Sequence, residues 1–198
     1  MPSLPPTHLL YLHGFRSSPQ SFKAQRLLGW LAEHRPGVTA WCPALPPSPA
    51  DAMRLVLEGT AGWPADRSAV LGSSLGGFYA AAVSHERGWP AVLMNPAVFP
   101  ARDLAGYVGT VEAFHSPGQT FEFRAAFIDE LQALTRPRLA HPERCFALIA
   151  QGDELLDWRE MAAFCAGAQV RLIEGSDHAL SDFDEHLPQL LKFLQLCD

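Results

Sequence analysis

The chain has 198 residues, a hydrophobic fraction of 48% and a formal net charge of -6, values of an ordinary globular protein able to bury one sizeable core. Its acidic residues are scattered and no basic run could hold a phosphate backbone, which argues against nucleic acid as a partner. No stretch reaches membrane-spanning length, and Pro2, Pro5 and Pro6 interrupt an N-terminus that lacks a charged start and a long apolar run, so the reading predicts one cytoplasmic domain over 1–198 with no membrane insertion.

In chain order, short apolar runs at 8–12, 38–42, 68–71, 91–94, 146–150 and 170–173 do not alternate in polarity, as expected of parallel strands covered on both faces. Helix-spaced apolar positions fill 20–34, 50–59, 75–85, 158–165 and 182–196, so strand and helix alternate, and 44–49 is a proline-rich loop. The order predicts an α/β fold with a doubly wound, mostly parallel sheet of about six strands and helices on both faces. Right-handed crossovers place all the strand-to-helix loops along one edge of that sheet, where chemistry is expected. Cys42, Cys145, Cys165 and Cys197 lack the close spacing of zinc ligands or a redox pair and read as reduced, largely buried thiols.

Between the third strand and its helix stand Gly72, Ser74 and Gly76, the G-x-S-x-G spacing of a nucleophile elbow. The spacing alone also fits an inert glycine turn, but here an apolar strand precedes it and an alanine-rich helix follows. Ser74 is the candidate nucleophile, and Ser73, without glycines at that spacing, is the weaker one. A phosphate loop needs Lys and Ser or Thr after its last glycine, where this chain has Phe78 and Tyr79.

A serine hydroxyl needs a base and the base needs an orienting group. His178 lies in the last strand-to-helix loop, on the elbow's edge, and is the candidate base; His34, His85, His115, His141 and His186 read as solvated side chains. Between nucleophile and base, Asp153 follows the fifth strand of the run and is the first candidate for the orienting carboxylate, with Asp157 second and Glu154 third; Asp157 also suits a helix cap. The backbone N–H groups of Phe15 and Leu75 are the expected oxyanion donors. Gly14 lets the backbone approach a substrate, Arg16 lines the loop mouth, and His13 reads as a loop-shaping residue or as a direct contributor to the site.

Leu10 to Phe15 with Ser17, Ser18 and Pro19, the Gly72 to Gly77 elbow, Asn95 to Val98, Gln151 to Asp157 and Gly175 to His178 together resemble the YqiA-like (YcfP-related) esterases, a small branch of the α/β-hydrolases. The resemblance covers nearly the whole chain. It implies a serine esterase for short acyl esters or acyl thioesters, without metal or cofactor, and supports Ser74, Asp153 and His178 by position. An amidase, acyltransferase or lyase with the same three residues, or a non-catalytic binding protein, are the other classes. Where relatives carry a polar Asn-Pro-Tyr-Thr-Gly segment, this chain has Ala113 to Gly118. That segment lies in an insertion over 100–142, expected as a small helical cap in which Phe114, Phe121, Phe123 and Phe127 wall an acyl pocket, although Phe127 and Leu131 also have the spacing of a helix anchored on the core.

Overall fold

The computed structural model describes residues 4–114 and 118–197; Pro2 and His115, on which expectations were placed, lie outside the described residues. The main sheet has six parallel strands, β1 (His8–Leu12), β2 (Thr39–Trp41), β3 (Ser68–Ser73), β4 (Ala91–Met94), β7 (Cys145–Ala150) and β8 (Gln169–Ile173), in the order β2-β1-β3-β4-β7-β8. Strands β5 (Gly109–Glu112) and β6 (Thr120–Phe123) pair separately as an antiparallel hairpin. Pairing runs in register from His8 opposite Ser68 to Leu12 opposite Gly72, so β1 and β3 end together.

Both faces of the sheet are covered, which is why its strands read as unbroken apolar runs. Leu10, Leu12, Val70, Leu93 and Ile149 face one layer, with α2 (Pro49–Gly59), α3 (Leu75–Arg87), α5 (Ala125–Leu134) and α6 (Trp158–Phe164). The alternate residues Leu9, Tyr11, Leu71, Val92 and Leu148 face α1 (Phe22–His34) and α7 (Phe183–Phe193). Chain order turns outward to β2 on one side of β1 and to β3 on the other. The crevice between the adjacent ends of β1 and β3 is therefore the switch point at which open α/β sheets bind ligands.

Three expectations need revision. The 100–142 insertion is not helical throughout, because the β5–β6 hairpin sits between the one-turn α4 (Pro100–Asp103) and α5. The edge strand β8 leaves four of its five residues exposed, so only Ile173 carries the apolar signal of a covered strand. The predicted helix over 20–34 begins at Phe22, because the Ser21 N–H closes a turn onto the Ser18 carbonyl instead of entering the helix.

Candidate active site

Ser74 ends the β3 turn with φ +56, a left-handed conformation that costs energy for any residue with a side chain. Close packing around it explains the flanking glycines. A Cβ on Gly72 would stand 2.0 Å from the Gly76 carbonyl oxygen, and one on Gly76 would stand 2.0 Å from the Leu12 carbonyl oxygen. Neither position tolerates any side chain while strand and helix stay this close. Ser74 is thereby presented at the N-terminus of α3 and at the end of the sheet.

The side chains of Ser74, His178 and Asp153 meet. Ser74 Oγ is 2.9 Å from His178 Nε2, and His178 Nδ1 is 2.7 Å from Asp153 Oδ2. A carboxylate accepts, so the imidazole proton sits on Nδ1 and Nε2 is left to receive the serine proton. The other Asp153 oxygen, Oδ1, accepts the N–H groups of Leu155 (2.9 Å) and Leu156 (2.8 Å), and the side chain is fully buried beside the imidazole. The two alternatives are engaged elsewhere. Asp157 caps α6 through the Arg159 N–H, and Glu154 Oε2 accepts the backbone N–H of His178 at 3.0 Å. Asp177, next to the histidine, takes both the N–H and the hydroxyl of Ser181, which hold its carboxyl below the usual range.

The loop after β1 lies across the elbow, since a Cβ on Gly14 would be 3.2 Å from Ser74 Cβ. The N–H groups of Phe15 and Leu75 have no acceptor among the described residues. His13 is buried in this loop. It receives the Leu45 N–H on Nε2 (3.1 Å), so its own proton is on Nδ1, which donates to the Gly14 carbonyl (3.0 Å). Arg16, at φ +62, donates from Nε to the Glu112 carbonyl at 2.6 Å, and its guanidinium lies 4.0 Å from the Phe114 ring centroid.

A cavity of about 550 Å³ opens beside Ser74 and His178, with Phe15, Arg16, Leu75, Leu104, Phe114 and Leu156 in its walls. Of the four phenylalanines expected to wall it, Phe114 alone does so, and it is 61% exposed. Phe121 lines a neighbouring groove with His13 and Gly14. Phe123, at the end of β6, and Phe127, which with Leu131 forms the buried face of α5, are packed in the core instead. Phe15 is held edge-on by Tyr107, Phe121 and Phe123, at centroid distances of 5.3, 5.9 and 5.1 Å.

Sequence reasoning assigned no supporting part near His178 to Asn95, Glu154 or Lys23, although it named Glu154 as the third carboxylate candidate. Asn95 and Glu154 bond to the His178 segment, and Lys23, buried on α1, donates from Nζ to the Ala179 carbonyl. His186, expected in solvent, is buried instead; its Nε2 is 3.1 Å from Asp182 Oδ2, and Asp182 Oδ1 accepts the Ser176 hydroxyl at 2.5 Å. Among the described residues no cluster of three or more His, Cys, Asp or Glu side chains is placed to hold a metal ion, and no helix is long and apolar enough to cross a membrane.

The six-stranded parallel sheet, with Ser74 after β3, Asp153 after β7 and His178 after β8, has the architecture of the α/β-hydrolase fold. Solved structures share this fold over nearly the whole chain. A structure of the metagenome-derived lipolytic enzymes LipS and LipT aligns with a TM-score of 0.72 at 17% identity, covering 98% of this chain and 96% of that one. Est1E from Butyrivibrio proteoclasticus with bound ferulic acid aligns at 0.69 and 15% identity, over 99% and 92%. The Pyrococcus furiosus esterase Pf2001 aligns at 0.61 and 16% identity, over 95% and 80%. The chain belongs to the uncharacterised protein family UPF0227, whose family model matches residues 8–195.

Proposed function

We propose that this protein is a serine esterase that hydrolyses short-chain acyl esters or acyl thioesters through an acyl-enzyme intermediate. The observation that carries the reading is the continuous hydrogen-bonded line from Ser74 Oγ through His178 to Asp153, at 2.9 and 2.7 Å. In the first step His178 Nε2 takes the serine proton as Oγ attacks the substrate carbonyl carbon. The N–H groups of Phe15 and Leu75 hold the oxygen that becomes negative. His178 then gives its proton to the departing alcohol or thiol. Water, deprotonated by the same imidazole, releases the acid and restores Ser74.

Substrate sits in the cavity beside Ser74, with Gly14 allowing close approach, Arg16 and Phe114 at the rim, and His13 shaping the loop that carries Phe15. The apolar walls suit an acyl chain, and the insertion over 100–142 supplies the rim as a small cap. Structural neighbours named as esterases and lipolytic enzymes support the same class of reaction. Cys42, Cys145, Cys165 and Cys197 form no disulfide, which suits a reducing, cytoplasmic setting.

The test is covalent labelling with a fluorophosphonate probe, followed by turnover of p-nitrophenyl esters and matched thioesters of increasing acyl length. Wild-type protein is expected to label stoichiometrically and Ser74→Ala not at all, with catalytic efficiency highest on the short chains. Labelling that survives Ser74→Ala moves the nucleophile elsewhere. Much higher efficiency on long chains overturns the short-chain assignment.

A further inference from the structure

The segment from Asn95 to Val98 has no part in the steps above, yet it touches the supports of all three reacting side chains. Asn95 follows β4 with φ +42 and is fully buried. Its Oδ1 accepts the N–H of Ala150, the last residue of β7 and three residues before Asp153, at 2.8 Å. Its Nδ2 donates to the carbonyls of Asp177 (3.0 Å) and His178 (3.1 Å). The backbone on either side grips the nucleophile. Ser74 N–H donates to the Met94 carbonyl at 3.0 Å, and Ala97 N–H donates to the Ser74 carbonyl at 3.1 Å.

The peptide unit joining Asp177 to His178 is held at both ends, its carbonyl by Asn95 and its N–H by Glu154 Oε2. The next carbonyl is held by Asn95 as well. Both peptide planes flanking the His178 Cα are therefore fixed, and the imidazole swings from an anchored base. We propose that Asn95 is a positioning residue whose side-chain amide, together with the Glu154 carboxylate, sets the reach of His178 to Ser74 and Asp153. The proposal rests on the Ser74–His178–Asp153 reading. Its physical basis is that a misplacement of about 1 Å is enough to cost on the order of a hundredfold in rate.

Two substitutions separate positioning from mere support. Asn95→Gly accepts the left-handed backbone and deletes the amide, whereas Asn95→Asp keeps the size and the acceptor but turns an oxygen toward two carbonyls. Glu154→Ala, at an exposed side chain that no core contact depends on, frees the other end of the same peptide, and Glu154→Gln restores an acceptor. The readouts are the fluorophosphonate labelling rate, kcat and KM on a short-chain p-nitrophenyl ester, thermal unfolding, and the downfield proton resonance of the His178 Nδ1–H bonded to Asp153.

Both Asn95 variants are expected to label about a hundredfold more slowly, with KM within about threefold and the downfield resonance lost. Glu154→Ala is expected to slow labelling about tenfold, and Glu154→Gln to recover most of it. Wild-type labelling rates with the resonance in place, in a folded Asn95→Gly or in Glu154→Ala, overturn the proposal. So does a loss confined to Asn95→Asp, because the added charge then explains it. If the Asn95 variants do not fold, the Glu154 pair decides alone. Absence of labelling in the wild type counts against the esterase reading instead, while the resonance, which needs no turnover, still reports on the positioning.

Discussion

Replacing Asp153 by Asn changes one atom and is expected to disable the base. The present carboxylate spends Oδ1 on the N–H groups of Leu155 and Leu156 and Oδ2 on His178 Nδ1. In Asp153→Asn the amide oxygen is the sole acceptor left, and two backbone N–H groups hold it in the Oδ1 position. The amide NH2 then faces His178 Nδ1, which can receive that hydrogen only by giving up its own proton to Nε2. A protonated Nε2 cannot accept from Ser74, so kcat falls by roughly ten-thousandfold, about 5.4 kcal/mol of lost transition-state stabilisation.

Asp157→Asn is the control. Asparagine caps a helix as well as aspartate does, so α6 should keep its stability to within about 0.5 kcal/mol and activity should hold within about twofold. Steady-state kinetics on a short-chain ester, with circular dichroism to verify folding, measure both variants. Asp153→Asn retaining more than a tenth of the wild-type kcat, or Asp157→Asn losing as much as Asp153→Asn, refutes the assignment of Asp153 as the residue that orients His178.

Phe15→Ala removes the ring that Tyr107, Phe121 and Phe123 grip while leaving the Phe15 N–H in place; labelling by the fluorophosphonate should slow by about ten- to a hundredfold, and an unchanged rate would show that the hairpin does not hold the loop. Lys23 bears on stability. Burial, opposed by Asp177 and Asp153, lowers its ammonium from 10.5 to about 8, so the unfolded chain binds the extra proton between those values and stability from this group rises as pH increases from 8 to 10.5. Urea unfolding should therefore show the wild type gaining roughly 2 kcal/mol on Lys23→Met between pH 8 and pH 10. No gain would mean that the Lys23 amine titrates normally.

The division between what the chain displays and what it conceals follows from the range of each constraint. Gly72 and Gly76 are legible because the elbow is compact: the atoms that forbid a Cβ there lie in the same turn, at the end of the paired strand β1 or at the first residue after it. The order of Ser74, Asp153 and His178 is legible because parallel strands with right-handed crossovers put their loops on one edge. The hairpin of the 100–142 insertion was hidden because it is two four-residue strands with one buried residue each, too short for alternation to register. His186 was hidden because a polar side chain adds nothing to an apolar pattern, although it lies with Phe183, Leu187 and Leu190 among the buried residues of α7.

Asn95 shows the same limit in its sharpest form. A buried amide must fill all its hydrogen bonds or destabilise the fold, so its partners carry the information about its role. Those partners are a backbone N–H 55 residues away and two backbone carbonyls 82 and 83 residues away. Backbone groups are the same at every position, so no pattern of residue types can announce them. A motif such as Asn95 to Val98 can therefore mark a segment as unusual in the sequence, while the reason emerges only when β4, β7 and the loop after β8 end side by side.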